Sequence, residues 1–144
     1  MPEPFTAHAA ILRGHGEPFS IEEVTLGELR GDEILVKVKG VGVCHTDLAA
    51  VAGLTPNPLP AVLGHEGSGV VEAVGPEVTA LEVGDHVAIS FDHCRTCSVC
   101  TDHAPAYCEL FAPLNYMGSR LDGSVTLHKG DEAIHGNWFG QSSF

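Results

Sequence analysis

Positive charge is scarce in this sequence: seven lysines and arginines stand against nineteen aspartates and glutamates, a formal net charge of −12 over 144 residues. Such a surface repels phosphate backbones and anionic headgroups, which argues against nucleic acid or a membrane as the main partner. Long apolar runs are missing too; none approaches the roughly 20 residues of a membrane span. The opening Met1-Pro2-Glu3-Pro4 has nothing of a secretory signal. Internal repeats and low-complexity linkers are absent. With 44% hydrophobic and 18% charged residues, the composition is that of a folded chain with one core. A cytoplasmic, reducing setting is therefore expected, where cysteines read as metal ligands or catalytic groups before disulfides.

Helical periodicity is also thin, and what remains is largely strand. Ala7 to Leu12 and Phe19 to Leu26 read as strands flanking the turn-rich Gly14-His15-Gly16-Glu17-Pro18. Asp32 to Val43 is longer; Ile34, Val36 and Val38 alternate with Leu35, Lys37 and Lys39, which predicts one mostly wetted face. Thr46 to Ala52 predicts a short helix stopped at Gly53, before a loop stiffened by Pro56, Pro58 and Pro60. Val70 to Val74, His86 to Phe91 and Ser124 to Leu127 complete the strands, whereas Phe91 to Pro113 is a poor core-former. Many short strands and seventeen glycines point to a β-rich barrel or sandwich.

Four of the five cysteines crowd into that poor core-former. Cys94, Cys97, Cys100 and Cys108 are spaced C-x2-C-x2-C-x7-C. Two-residue spacers turn successive sulfurs inward around one ion at about 2.3 Å, and the longer loop brings the fourth to close a tetrahedron. Four thiolates leave no open position, so such a zinc would be structural and would replace a core for this lobe, residues 91–113. Disulfides are disfavoured by the compartment. A ferredoxin-type iron–sulfur cluster shares the first three cysteines, but it continues with three residues and Cys-Pro, whereas Glu109 follows Cys108 here. His93 and His103 flank the cluster and are candidate ligands by chemistry alone; with four cysteines available, both are expected beside the ligands or in solvent instead.

A second constellation is looser. Cys44-His45-Thr46-Asp47 opens the expected helix, and Gly64-His65-Glu66-Gly67-Ser68-Gly69 follows. Singly, a lone cysteine is a small buried hydrophobe and a lone histidine a hydrogen-bonding residue. Together Cys44, His65 and Glu66 offer thiolate, imidazole and carboxylate, a set zinc accepts.

Gly64-His65-Glu66, with Gly69, Gly75 and Val78 at their offsets, resembles the zinc signature of medium-chain zinc-dependent alcohol dehydrogenases. Cys44-His45-Thr46-Asp47, Gly84-Asp85-His86-Val87 and the four-cysteine lobe match the same family in the same order. The stretch from Asp122-Gly123-Ser124 to Phe139-Gly140-Gln141-Ser142-Ser143-Phe144 is most similar to the aryl (benzyl) alcohol dehydrogenase branch. The resemblance implies a GroES-like β-barrel catalytic domain that works with a Rossmann domain binding NAD. It implies oxidation of a primary, aromatic alcohol to an aldehyde, with zinc as Lewis acid. Cys44 and His65 would be catalytic zinc ligands, Glu66 an occasional one, and Asp47 the carboxylate that orients His65. Thr46 would take the substrate's hydroxyl proton, and His45 would lie near the cofactor pyrophosphate.

Three departures qualify these expectations. Four cysteines in the cluster leave only Cys44, so the second cysteine of a Cys2His site is missing. Gly67-Ser68-Gly69-Val70-Val71-Glu72 has glutamate where a dinucleotide fingerprint needs its third glycine, and it lacks the βαβ context. Some family members relay the proton through a histidine where Ala49 stands here. The first two predict a GroES-like domain truncated at its C-terminus, without a Rossmann domain, inactive alone and prone to self-association through an exposed strand edge. The competing reading is a non-catalytic, zinc-stabilised β-barrel.

Overall fold

The computed structural model describes residues 5–144. Eight strands form two sheets. β1 (Thr6–Leu12) and β2 (Ser20–Leu26) pair as an antiparallel hairpin, as their alternation predicts. β4 (Ala61–Val62) adds to β1, and the hairpin of β7 (Leu127–Lys129) and β8 (Glu132–Ile134) adds to β2. The resulting order is β4-β1-β2-β7-β8. A parallel bridge between Ala61 and His135 then joins the two ends. His135 N donates to Pro60 O and Val62 N to His135 O, both at 2.9 Å, so the five strands close into a ring. The second sheet is β3-β5-β6, from β3 (Ile34–Val41), β5 (Gly67–Val74) and β6 (His86–Ala88). The fold is mainly β and GroES-like, as expected from the sequence.

Closing the ring gives it an inside. Ile11, Val24, Val62 and Ile134 fill it, each with no more than 1% of its surface exposed. A second cluster, Leu12, Ala50, Ala61, Leu63 and Trp138, seats helix α1 (His45–Val51) against the ring. At roughly 25 cal/mol per Å2 of apolar surface, each large buried side chain stabilises by about 1.5–3 kcal/mol. The helix begins one residue earlier than its periodicity suggests. Asp47 reaches back to accept from Cys44 N at 3.0 Å and so caps the helix it belongs to. Gly53, at φ +75°, ends it.

Three expectations are revised. β3 is wetted on both faces over Lys37–Val41, because no layer covers that end. β7 starts at Leu127 rather than Ser124, since Asp122 Oδ1 accepts from both the amide and hydroxyl of Ser124 and holds that stretch as a tight loop. The region expected to lack a core contains α3 (Phe111–Tyr116), which packs Phe111 and Tyr116 against Phe139. Before it lie α2 (Ser98–Thr101) and a single 3-10 turn at Pro105–Tyr107. Among the described residues, no helix is long and apolar enough to cross a membrane.

Candidate active site

Cys44 stands where β3 gives way to α1. Its Sγ lies 3.6 Å from Thr46 Oγ1. Hydrogen bonds from the Thr46 backbone and hydroxyl, and then from His65, hold its thiol below the ordinary range. That favours the thiolate, the form that binds metals. His65 and Glu66 approach from the turn after β4. Gly64 makes that turn at φ +86°, where a Cβ would meet the backbone nitrogen of Phe144 at 2.8 Å, so only glycine serves. The Cys44 sulfur, a His65 ring nitrogen and a Glu66 carboxylate oxygen all lie within 4.8 Å of one another. Cys44 and His65 are half-buried and Glu66 is exposed, so the three face an opening to solvent.

The imidazole is fixed from behind. His65 Nδ1 lies 3.0 Å from Asp47 Oδ1, and Asp47 is 1% exposed. Gly64 N at 3.3 Å and Trp138 Nε1 at 2.9 Å donate to that same oxygen. A carboxylate on Nδ1 selects the tautomer with a free lone pair on Nε2, the atom available to a cation. Phe139 stacks on the ring with centroids 4.7 Å apart, and Gln141 Nε2 donates to the His65 carbonyl at 2.9 Å. A thiolate, an imidazole and a carboxylate with room for further ligands suit zinc.

The four remaining cysteines also converge. Cys94, Cys97, Cys100 and Cys108 present sulfurs within 4.8 Å of one another, and all are free. Cys97 N donates to Cys94 Sγ, and Cys94 N to Cys108 Sγ, each at 3.3 Å. Backbone hydrogen bonds from Thr96 and Cys97 bring the Cys94 thiol down to about 6. Burial, then the neighbouring thiols, push Cys100 up to about 12. Sulfurs this close cannot all ionise against one another, and a cation among them removes the conflict. The donor set fits a closed tetrahedral zinc.

Residues 30–134 match the alcohol dehydrogenase GroES-like domain. The chain belongs to the alcohol dehydrogenase family. Geraniol dehydrogenase of Castellaniella defragrans is 48% identical over 140 residues, 96% of this chain and 37% of its own length. An alcohol dehydrogenase zinc-binding domain protein from Burkholderia ambifaria superposes with a TM-score of 0.96 at 47% identity, covering 99% of this chain and 39% of that one. Benzyl alcohol dehydrogenase from Acinetobacter calcoaceticus gives 0.91 at 43% identity, with 97% and 37% covered. The chain thus spans little more than a third of these relatives.

Within this alcohol dehydrogenase domain, His45 is exposed on the first turn of α1, Thr46 half-buried beside Cys44, and Ala49 one turn on. His93 and His103 join neither donor group; His93 sets its ring near Phe91, with centroids 6.5 Å apart, and His103 sits in a turn at φ 61°. Trp138, Phe139 and Gln141 are the members that sequence reasoning missed. The one available signal was the chain's single tryptophan, beside a phenylalanine. A cavity of about 450 Å3 lies elsewhere, between the β2–β3 connection and residues 119–127. Its cations are already paired, Arg30 with Asp122, Arg120 with Glu33 and Arg95 with Asp32.

Proposed function

We propose that this chain supplies the zinc-binding catalytic domain of an enzyme that oxidises a primary, aromatic alcohol to its aldehyde with NAD. One observation carries the reading: thiol, imidazole and carboxylate converge within 4.8 Å at an opening, with the imidazole steered by a buried carboxylate. Cys44, His65 and Glu66 would hold the catalytic zinc. Bound there, zinc supplies Lewis acidity that lowers the pKa of an alcohol hydroxyl. Asp47 keeps His65 in the right tautomer and rotamer. Thr46 accepts the substrate's hydroxyl proton; with alanine at position 49, that proton leaves to water at the open face. His45, exposed at the start of α1, would lie near the cofactor's pyrophosphate, where an imidazole grips less firmly than a guanidinium's fork of donors. Cys94, Cys97, Cys100 and Cys108 would hold a second, structural zinc in the lobe of residues 91–113.

The aromatic preference is supported by the likeness to benzyl alcohol dehydrogenase and by the aromatic rings packed around His65. The described residues contain no βαβ unit, so the nicotinamide must be presented by another domain. Metal analysis of untagged protein tests the reading, and two zinc ions per chain are expected. None at all would overturn it. One per chain would favour the second reading, a zinc-stabilised barrel without catalysis, which the lack of a second cysteine beside Cys44 and His65 supports. With benzyl alcohol and NAD, the chain alone is expected to turn over no faster than a metal-stripped control.

A further inference from the structure

Asp47 carries more hydrogen bonds than any other side chain near the site, and they are unevenly shared. Oδ2 takes Cys44 N. Oδ1 takes three donors: His65 Nδ1, Gly64 N and the indole Nε1 of Trp138, the last at 2.9 Å. Trp138 is 2% exposed and Asp47 1%, so neither can exchange its partner for water. The indole also stands edge-on to the His65 ring, with centroids 6.5 Å apart. Filling this place in the core requires only an aromatic ring. The N–H does something more: it bonds the one carboxylate that is itself bonded to a histidine of the donor set. A donor on a carboxylate fixes its rotamer and draws charge from it. The carboxylate in turn sets the orientation and basicity of the imidazole.

We propose that Trp138 is a positioning residue for the metal centre: its indole N–H locks the Asp47 carboxylate that aims His65 Nε2 toward Cys44 and Glu66. The proposal rests on the metal reading above and deepens it. Trp138 is the only tryptophan in the chain, so its emission reports on this place alone.

The experiment uses the metal-stripped chain titrated with Zn2+ and, separately, with Co2+. The four-thiolate site takes the first equivalent and the three-residue site the second. Tryptophan emission under Zn2+ is expected to change with the second equivalent. Trp138→Phe, which keeps a ring in the core, is expected to weaken Co2+ binding at the second site about 3- to 10-fold. That is less than the roughly 10- to 100-fold typical of a group bonded directly to a ligand. The first site should keep its affinity. In an Asp47→Asn background, Trp138→Phe should cost nothing further, because the two act in series. Unchanged Co2+ affinity in Trp138→Phe, a loss that simply adds to that of Asp47→Asn, or emission flat through the second equivalent would overturn the proposal. A wild-type chain that takes one Co2+ only, with Cys44 still open to thiol reagents, overturns the metal reading and this proposal with it. If Trp138→Phe fails to fold, the emission titration of the unaltered chain decides.

Discussion

At the scale of single residues, the site depends on a position where no alternative side chain fits. At Gly64 a φ of +86° disfavours any Cβ, which would strike the Phe144 ring at 2.5 Å and the Phe144 backbone nitrogen at 2.8 Å. Gly64→Ala is expected to cost about 1–3 kcal/mol, read as a lower urea midpoint, and to loosen metal binding at the neighbouring His65. Gly42 differs: a Cβ there would meet the exposed Glu66 carboxylate, which can swing aside but would then leave its place beside Cys44 and His65. Cys44, Asp47, His65 and Glu66 could be picked out beforehand because they fall in two short runs whose chemistry is complementary. Trp138 and Gln141 could not. They reach Asp47 and His65 across 91 and 76 residues of chain, and no local spacing encodes such a contact.

At the scale of elements, legibility needs an unbroken period as well as length: β5 has eight residues but is legible only from Val70, since Gly67, Ser68 and Gly69 carry no alternation. The hairpin β1–β2 and the helix α1 span seven residues each, enough for a period to show, and their bounds were read to within a residue or so. β4 has two residues and β7 and β8 three each; so few positions carry no period, and pairing with longer neighbours is what makes them strands. The cysteine loop is a different case. Its four-residue α2 and its single 3-10 turn are too short to stand alone. Metal would then hold the loop, and its removal should release it while the ring persists. Arg95 is exposed inside the loop and offers trypsin a site. Chelation is expected to speed cleavage after Arg95, followed by mass spectrometry, without a matching loss of the far-ultraviolet circular dichroism of the strands. Equal rates with and without chelator would mean that the loop keeps its shape unaided.

For the molecule as a whole, acidity sets the conditions of stability. Burial tends to push the Glu33 carboxyl up. The Arg120 guanidinium, at 2.5 and 2.7 Å, and the Arg30 amide outweigh it and hold the group below its ordinary value of 4.5. The unfolded chain therefore binds this proton more readily than the folded one. The pair's contribution is complete above 4.5 and is lost as pH falls through the lower folded value. Urea midpoints should decline as pH falls below about 5, and less steeply in Glu33→Gln. Among the described residues, the open sheet offers self-association two edges, the outer sides of β3 and β6. β3 is the longer, but Lys37, Lys39 and two register shifts blunt it. Light scattering is expected to find species heavier than 15.1 kDa only at high concentration, and a monomer throughout would remove those edges as contacts. Strand content left barrel and sandwich both open and the family resemblance favoured the barrel; its closure was not foreseeable, because it depends on one bridge between Ala61 and His135. That bridge has a consequence for the order of birth. On the ribosome Cys44, Asp47, His65 and Glu66 emerge early, yet the wall behind them, from Trp138 to Phe144, follows only later. An ion that arrives in between meets a half-made cradle, so loading at this centre must wait until Trp138 to Phe144 has swung home.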